Sequence, residues 1–260
     1  MKVIAIIPAA GLGTRMVTPS GASKSGTAVS HPSTPKPPGV LATTVKAAPA
    51  KQFTELGGAP VVIHTLRQFI AAPQIAAIYV AVRPAEVEAF RVRLQQEQFG
   101  KPVHCVEGGE HRQQSVANAL AAVAAEDDDI VLVHDAVRPF VDREIIDNVI
   151  QAVVKHGAAI AGVPAVDTIK LVDRSAADAL ITSTVPRERA VLAQTPQGFR
   201  AGLLRRAMSA AMEDGFTGTD EASLLERLGH EVAVVMGSPR NFKITTPGDL
   251  QLAEFYFSQH

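Results

Sequence analysis

Val3-Ile4-Ala5-Ile6-Ile7-Pro8-Ala9-Ala10-Gly11-Leu12-Gly13-Thr14-Arg15-Met16 stands almost at the start of the chain. The apolar, mostly β-branched run predicts a strand over Val3–Ile7. The small residues after it let backbone N–H groups approach an anion closely. Arg15 adds a fixed charge and several donors suited to phosphate oxygens. A dinucleotide fingerprint fails here, because Met16 stands where the third glycine belongs and no acid follows at the ribose position. A P-loop fails too, because no Gly-Lys-Ser/Thr closes the turn. On these residues alone a plain structural turn remains the alternative.

Outward from this stretch, short β-branched runs alternate with helical patterns. Strands are predicted at Ala77–Val82, Pro102–Val106, Ile130–His134 and Ala158–Val163. Helices are predicted at Pro60–Ala71, Ala85–Gln98, His111–Ala124 and Arg143–Lys155. In the last, Ile145, Ile146, Val149, Ile150, Val153 and Val154 form one apolar stripe at helical spacing. The alternation implies βαβ units, hence an α/β fold with a mainly parallel sheet flanked by helices. Such sheets bind ligands beyond the carboxyl ends of their strands.

Two segments interrupt the rhythm. Val17–Ala50 is rich in Pro, Ser, Thr, Gly and Ala and has no acidic residue. It cannot bury enough apolar area to offset its ordering entropy, and reads as a flexible insertion dispensable for chemistry. The rival view is a lid, with Lys24, Lys36 or Lys46 reaching a ligand. The second segment is Val166–Gln194. Thr168–Val172 and Leu180–Val185 read as strands around a polar turn at Asp173–Asp178. They form either an ordinary surface hairpin or an arm reaching another subunit.

The chain has 260 residues, of which 47 % are hydrophobic, enough for a sizeable core in a single domain. Its net charge of −1 excludes a global pull toward nucleic acid or anionic lipid, so an anion site must be a local cluster. Cys105, the only cysteine, can form neither an internal disulfide nor a zinc site, and reads as a buried strand residue. No targeting segment is evident, and no apolar run reaches the roughly 18 residues of a membrane span. A cytoplasmic protein is expected, with neither nucleic acid nor membrane as partner.

Val131-Leu132-Val133-His134-Asp135-Ala136-Val137-Arg138-Pro139 is the second informative stretch. It brings an acid to a strand's carboxyl end. Asp135 could hold magnesium, which takes few protein carboxylates and several phosphate oxygens. Arg138 could meet a phosphate. A helix-capping Asp with a surface Arg is the plain alternative, and His134 reads as a satisfied strand-end residue. Lys51, alone an ordinary surface lysine, gains interest as the sequel to the first loop.

Seven motifs occur in order: Pro8-Ala9-Ala10-Gly11-x-Gly13-x-Arg15-Met16, Lys51-Gln52-Phe53, His134-Asp135-Ala136-Val137-Arg138-Pro139, Asp167-Thr168, Gln194-Thr195-Pro196-Gln197, Thr219-Asp220-Glu221-Ala222-Ser223 and Asn241-Phe242-Lys243-Ile244-Thr245. Together they resemble the 2-C-methyl-D-erythritol 4-phosphate cytidylyltransferase family, over nearly the whole chain except Val17–Ala50. The resemblance implies a Rossmann-like homodimer whose hairpin, at about 166–190, is an arm reaching into the partner. It implies CTP and a polyol phosphate as substrates and Mg2+ as cofactor. By resemblance, Ala9, Ala10, Gly11 and Gly13 cradle phosphate. Gly109, Glu110 and Ser115 hold the cytosine. Arg15, Lys51 and Lys243 are catalytic, and Asp135 binds the metal. Ala136, Arg138 and Thr195 contact the substrate from one subunit, Thr168 and Arg187 from the other. Three departures stand out. Thr14 replaces a second basic residue, Glu110 replaces Asp, and the insertion separates Arg15 from Lys51. The fused bifunctional form of the family is not expected. Ribitol-5-phosphate cytidylyltransferase shares most of these motifs and is the nearest alternative. A non-catalytic nucleotide-binding regulator is a more distant one.

Overall fold

The computed structural model describes residues 1–11, 50–174 and 178–259. Gly13, Arg15 and the insertion up to Pro49 lie outside them, as do three residues at the predicted turn. Ala50, counted with the insertion, is in fact buried.

Seven strands form the main sheet. In chain order these are β1 (Val3–Pro8), β4 (Ile75–Val82), β5 (Val103–Glu107), β6 (Ile130–Val133), β7 (Ala158–Pro164), β10 (Val191–Arg200) and β11 (Ala233–Met236), in the spatial order β11-β7-β10-β6-β1-β4-β5. Only β10 runs antiparallel to its neighbours. The five predicted strands and four predicted helices of the first 164 residues all occur, with no end shifted by more than two residues. The sheet is mainly parallel, as expected.

Successive residues of a strand face opposite sides, and β1 shows why it is apolar throughout. Val3, Ala5 and Ile7 pack with α1 (Val61–Ala71), α2 (Val87–Glu97) and α4 (Arg143–His156). Ile4 and Ile6 pack on the other face with α3 (Arg112–Ala122), α5 (Ala201–Glu213) and α6 (Glu221–Arg227). In α4 the Asp142 side chain accepts from the Ile145 N–H at 2.8 Å, and Gly157 ends the helix at φ 84°. The stripe predicted on this helix is buried except for Val154, which lies at its margin and is exposed. Cys105 is only half-buried, because β5 is the sheet's edge.

Two small sheets hold the remaining strands among the described residues. β2 (Glu55–Leu56) and β3 (Ala59–Pro60) pack near α7 (Pro247–Ser258), whose start carries a capping box between Thr246 and Asp249. β8 (Ile169–Arg174) and β9 (Ala179–Val185) form an antiparallel pair separate from the main sheet. The strand β8 extends through Asp173 and Arg174, which the sequence reading gave to a turn. Leu171, Val172, Leu180 and Ile181 on this hairpin are exposed.

Candidate active site

The site forms where β1 and β6 end side by side. The parallel ladder between them continues as far as the His134 N–H, which donates to the Ile6 carbonyl at 2.9 Å. Asp135 is the first residue past the ladder, so its N–H needs another acceptor. Thr195 supplies it: the Asp135 N–H donates to Thr195 Oγ1 at 3.1 Å. The register of β10 against β7 breaks between Ala193 and Gln197, which lets residues 194–196 leave the ladder at this point.

Thr195 Oγ1 also lies 3.1 Å from His134 Nδ1, and His134 Nε2 lies 3.1 Å from the Arg138 carbonyl. A carbonyl can only accept, so Nε2 carries the proton and Nδ1 accepts from the threonine hydroxyl. Asp135, Thr195, His134 and Arg138 are thus joined in one directional chain. Complete burial holds the His134 imidazole neutral, lowering its pKa to about 4. The satisfied strand-end reading of His134 fits this geometry. The Thr195 hydroxyl is committed beneath the site, at 4 % exposure.

Asp135 faces three cations. Its Oδ1 accepts from Arg112 Nε at 3.0 Å, and its Oδ2 lies 2.8 Å from Lys243 Nζ and 3.7 Å from Arg138 Nε. Burial alone would raise this carboxyl's pKa, but the Arg112, Lys243 and Arg138 charges overcome it and hold the group well below the usual carboxylate range. Lys243 reaches Asp135 because its strand of chain docks on the turn after β6. There the Ile244 N–H donates to the Val137 carbonyl at 2.9 Å, and Arg138 Nη1 donates to the Asn241 carbonyl at 2.6 Å. Arg138 is therefore not a surface arginine, and Asp135 does not cap a helix.

On the other wall, Gln52 Nε2 donates to the carbonyls of Ala9 at 2.6 Å and Gly11 at 3.1 Å. This bond sets Lys51 beside the turn after β1. The base of the cleft is the loop from Gly108 to His111. A Cβ at Gly108 would come within 2.6 Å of Ala10 Cβ, so glycine allows the two loops to touch. The Ser115 hydroxyl accepts from the Gly109 N–H at 3.1 Å and donates to the His111 carbonyl at 3.0 Å, fixing that loop.

One cleft of about 200 Å³ thus gathers Ala9, Ala10, Gly11, Lys51, Gly109, Glu110, Ser115, Asp135, Ala136 and Lys243. Arg138 and Thr195 sit directly behind Asp135. Thr168 and Arg187 do not line it. Both are exposed near the β8–β9 hairpin, where Arg187 Nη1 donates to the Val166 carbonyl at 3.2 Å. Sequence reasoning missed Arg112 and assigned no task to Gln52 or Glu221. Arg112 opens α3 in a polar stretch, and nothing local marks it as the partner of carboxylates 23 and 109 residues away.

The chain as a whole is similar to known proteins. The family model described as IspD, 2-C-methyl-D-erythritol 4-phosphate cytidylyltransferase, matches residues 41–259. This chain belongs to that family. A 2-C-methyl-D-erythritol 4-phosphate cytidylyltransferase of Acidobacterium capsulatum is 55 % identical over 259 residues, covering 100 % of this chain and 98 % of the relative. The crystal structure of the cytidylyltransferase of that name from Thermus thermophilus superposes with a TM-score of 0.70 at 33 % identity, covering 98 % of each chain. The 4-diphosphocytidyl-2C-methyl-D-erythritol synthase of Anaerococcus prevotii gives a TM-score of 0.76 at 27 % identity, over 99 % and 98 %. Membership makes the chain a cytidylyltransferase and sets aside the regulator. No helix among the described residues is long and apolar enough to cross a membrane.

Proposed function

We propose that this protein transfers CMP from CTP to 2-C-methyl-D-erythritol 4-phosphate. The products are 4-diphosphocytidyl-2-C-methyl-D-erythritol, a precursor in non-mevalonate isoprenoid synthesis, and pyrophosphate. The observation that carries this reading is the cleft itself, where Asp135 and its three cations face the turn after β1 and Lys51. A phosphate oxygen of the acceptor attacks the α-phosphorus of CTP, and the bond to the β-phosphate's bridging oxygen breaks. A phosphate monoester is mostly dianionic near neutrality, with a second pKa of about 6, so the attack needs no general base. The task is to bring two anions together, by positioning and charge neutralisation.

In this reading the backbone of Ala9–Gly13 cradles the triphosphate. Arg15 and Lys51 neutralise the α-phosphate and the leaving pyrophosphate. Gly109, Glu110 and Ser115 hold the cytosine, while Lys243, Arg138, Ala136 and Thr195 form the acceptor's side. A divalent cation suits Asp135. The described residues include no group of three His, Cys, Asp or Glu that could hold a metal, yet magnesium needs only one or two carboxylates when phosphates supply the rest. Bound there, it would add positive charge on the phosphate oxygens.

The functional unit in this reading is a homodimer in the cytoplasm. A lone two-stranded hairpin is marginal in water, and β8–β9 exposes four large apolar side chains, Leu171, Val172, Leu180 and Ile181. A partner subunit covering them accounts for both facts and brings that subunit's Thr168 and Arg187 to the cleft.

The test is pyrophosphate release with CTP and Mg2+. Release with 2-C-methyl-D-erythritol 4-phosphate, at a kcat/KM about 100-fold above ribitol 5-phosphate, is expected. A hundredfold margin is the scale on which a pocket tells apart substrates that differ by about one carbon. No release from a folded protein, or a preference for ribitol 5-phosphate, overturns the assignment.

A further inference from the structure

Glu221 takes no part in the chemistry described so far, yet it is 1 % exposed. An unpaired carboxylate at such depth is costly. Among the described residues it is answered by Arg112 Nη1, which donates to Oε1 at 2.7 Å and Oε2 at 2.8 Å. Through Nε the same guanidinium donates to Asp135. One arginine therefore spans two carboxylates, one in the cleft wall and one behind it.

The position of Glu221 is tied to the strand end that presents Asp135. Gln197 of β10 is fully buried and pairs with Val133, two residues before Asp135. Its Nε2 donates to Asp220 Oδ2 at 2.7 Å, and its Oε1 accepts from the Ala222 N–H at 3.1 Å. These bonds grip the chain on both sides of Glu221. Burial raises the Glu221 carboxyl's pKa above its ordinary value, and the Arg112 charge pulls the other way.

A cation that uses Asp135 must share its oxygens with Arg112, Arg138 and Lys243. Lys243 is a point charge on a flexible stem that can swing away. Arg112 has a second anchor. We propose that Glu221 is a positioning residue acting through Arg112: it holds the guanidinium by its far end, so that Asp135 can turn from Arg112 to a divalent cation arriving with the nucleotide. This rests on the nucleotidyl-transfer reading above. Without the Glu221 charge, Arg112 keeps Asp135 as its sole carboxylate and the surroundings gain one positive charge. Both changes oppose a divalent cation.

The experiment measures Mn2+ binding to the full-length protein by electron paramagnetic resonance, with CTP present and no acceptor. Glu221→Gln should weaken Mn2+ binding tenfold or more and raise the Mg2+ concentration for half-maximal turnover by a similar factor. CTP binding in EDTA should not weaken, since the local charge has become more positive. In the double variant Arg112→Gln with Glu221→Gln, the competitor is gone and the local charge is restored, so Mn2+ affinity should equal or exceed wild type. Unchanged Mn2+ binding in Glu221→Gln overturns the proposal. A tenfold loss persisting in the double variant overturns it as well, and this arm stands even if the single variant does not fold. A wild-type protein that turns over no CTP would instead indict the reading of the function.

Discussion

The neutral imidazole of His134 makes a pH-dependent contribution to folding. Its pKa is about 4 in the folded protein, against about 6.5 when exposed. Between these values the unfolded chain binds the extra proton, so stability rises with pH across that window. The gain is about 3 kcal/mol, complete above about pH 6.5 and lost as pH falls toward 4. Urea midpoints of the metal-free protein should show this slope, and His134→Gln should flatten it. An equally steep slope in the variant would mean another group is responsible. Asp135 works through the same linkage. Its folded pKa is depressed, so its stabilisation is present above the unfolded value of about 3.9 and fades as pH falls toward the folded one. Asp135→Asn should therefore be less stable than wild type at pH 7, by a margin that closes below about pH 4. The variant should keep its circular dichroism, because Arg112 retains Glu221 and Arg138 retains the Asn241 carbonyl. Its turnover should fall about a hundredfold or more, the scale of losing one preorganised charge contact. Near-normal turnover at ordinary Mg2+ would rule out Asp135 as the metal's anchor. Asp135 could be singled out from its place at a strand end, and Lys243 from the resemblance, because the motifs around both are local. Arg112 could not, because its contacts with Asp135 and Glu221 exist only when α3, the end of β6 and α6 are assembled.

At the scale of elements, the first half of the sheet was readable because apolar runs and helical stripes report burial directly. β10 was not. Gln194-Thr195-Pro196-Gln197-Gly198 carries two glutamines, a proline and a glycine, and reads as loop by composition. In the fold it is buried between β6 and β7, its two glutamine side chains satisfied by the start of α6 and by the segment around Asn241. Those partners lie 23 to 47 residues away, beyond any local pattern. Gln52 is a similar case on the other wall. It is a buried amide that joins the 3-10 turn at Lys51–Phe53 to the end of β1. Gln52→Ala leaves the Ala9 and Gly11 carbonyls without that donor, at a cost of about 1–3 kcal/mol. If the turn after β1 cradles the triphosphate, the bond shapes it in every state of the reaction, so KM for CTP should rise more than kcat falls. Denaturant unfolding and steady-state kinetics check both halves. A loss of stability with KM unchanged would reduce Gln52 to a structural role.

For the molecule as a whole, the question is whether one chain makes a complete site. Thr168 and Arg187 lie outside the cleft formed by their own chain, on or beside a hairpin whose apolar side chains face solvent. The sequence left that hairpin undecided between surface ornament and arm, since strand pattern says nothing about what covers it. If it is an arm, each cleft takes Lys243 from one subunit and Arg187 from the other. Arg187→Ala and Lys243→Ala should then each be nearly inactive as homodimers. In a mixed dimer, one cleft has both wild-type residues and the other has neither. Equal mixing makes about half the dimers mixed, each with one intact cleft of two, so about a quarter of the wild-type rate should return. The two variants should carry different affinity tags, so that subunit exchange is verified by co-purification before activity is read. Exchange without recovered activity would mean that Arg187 serves its own subunit or none. Recovery well above a quarter would mean that one of the two residues is not essential.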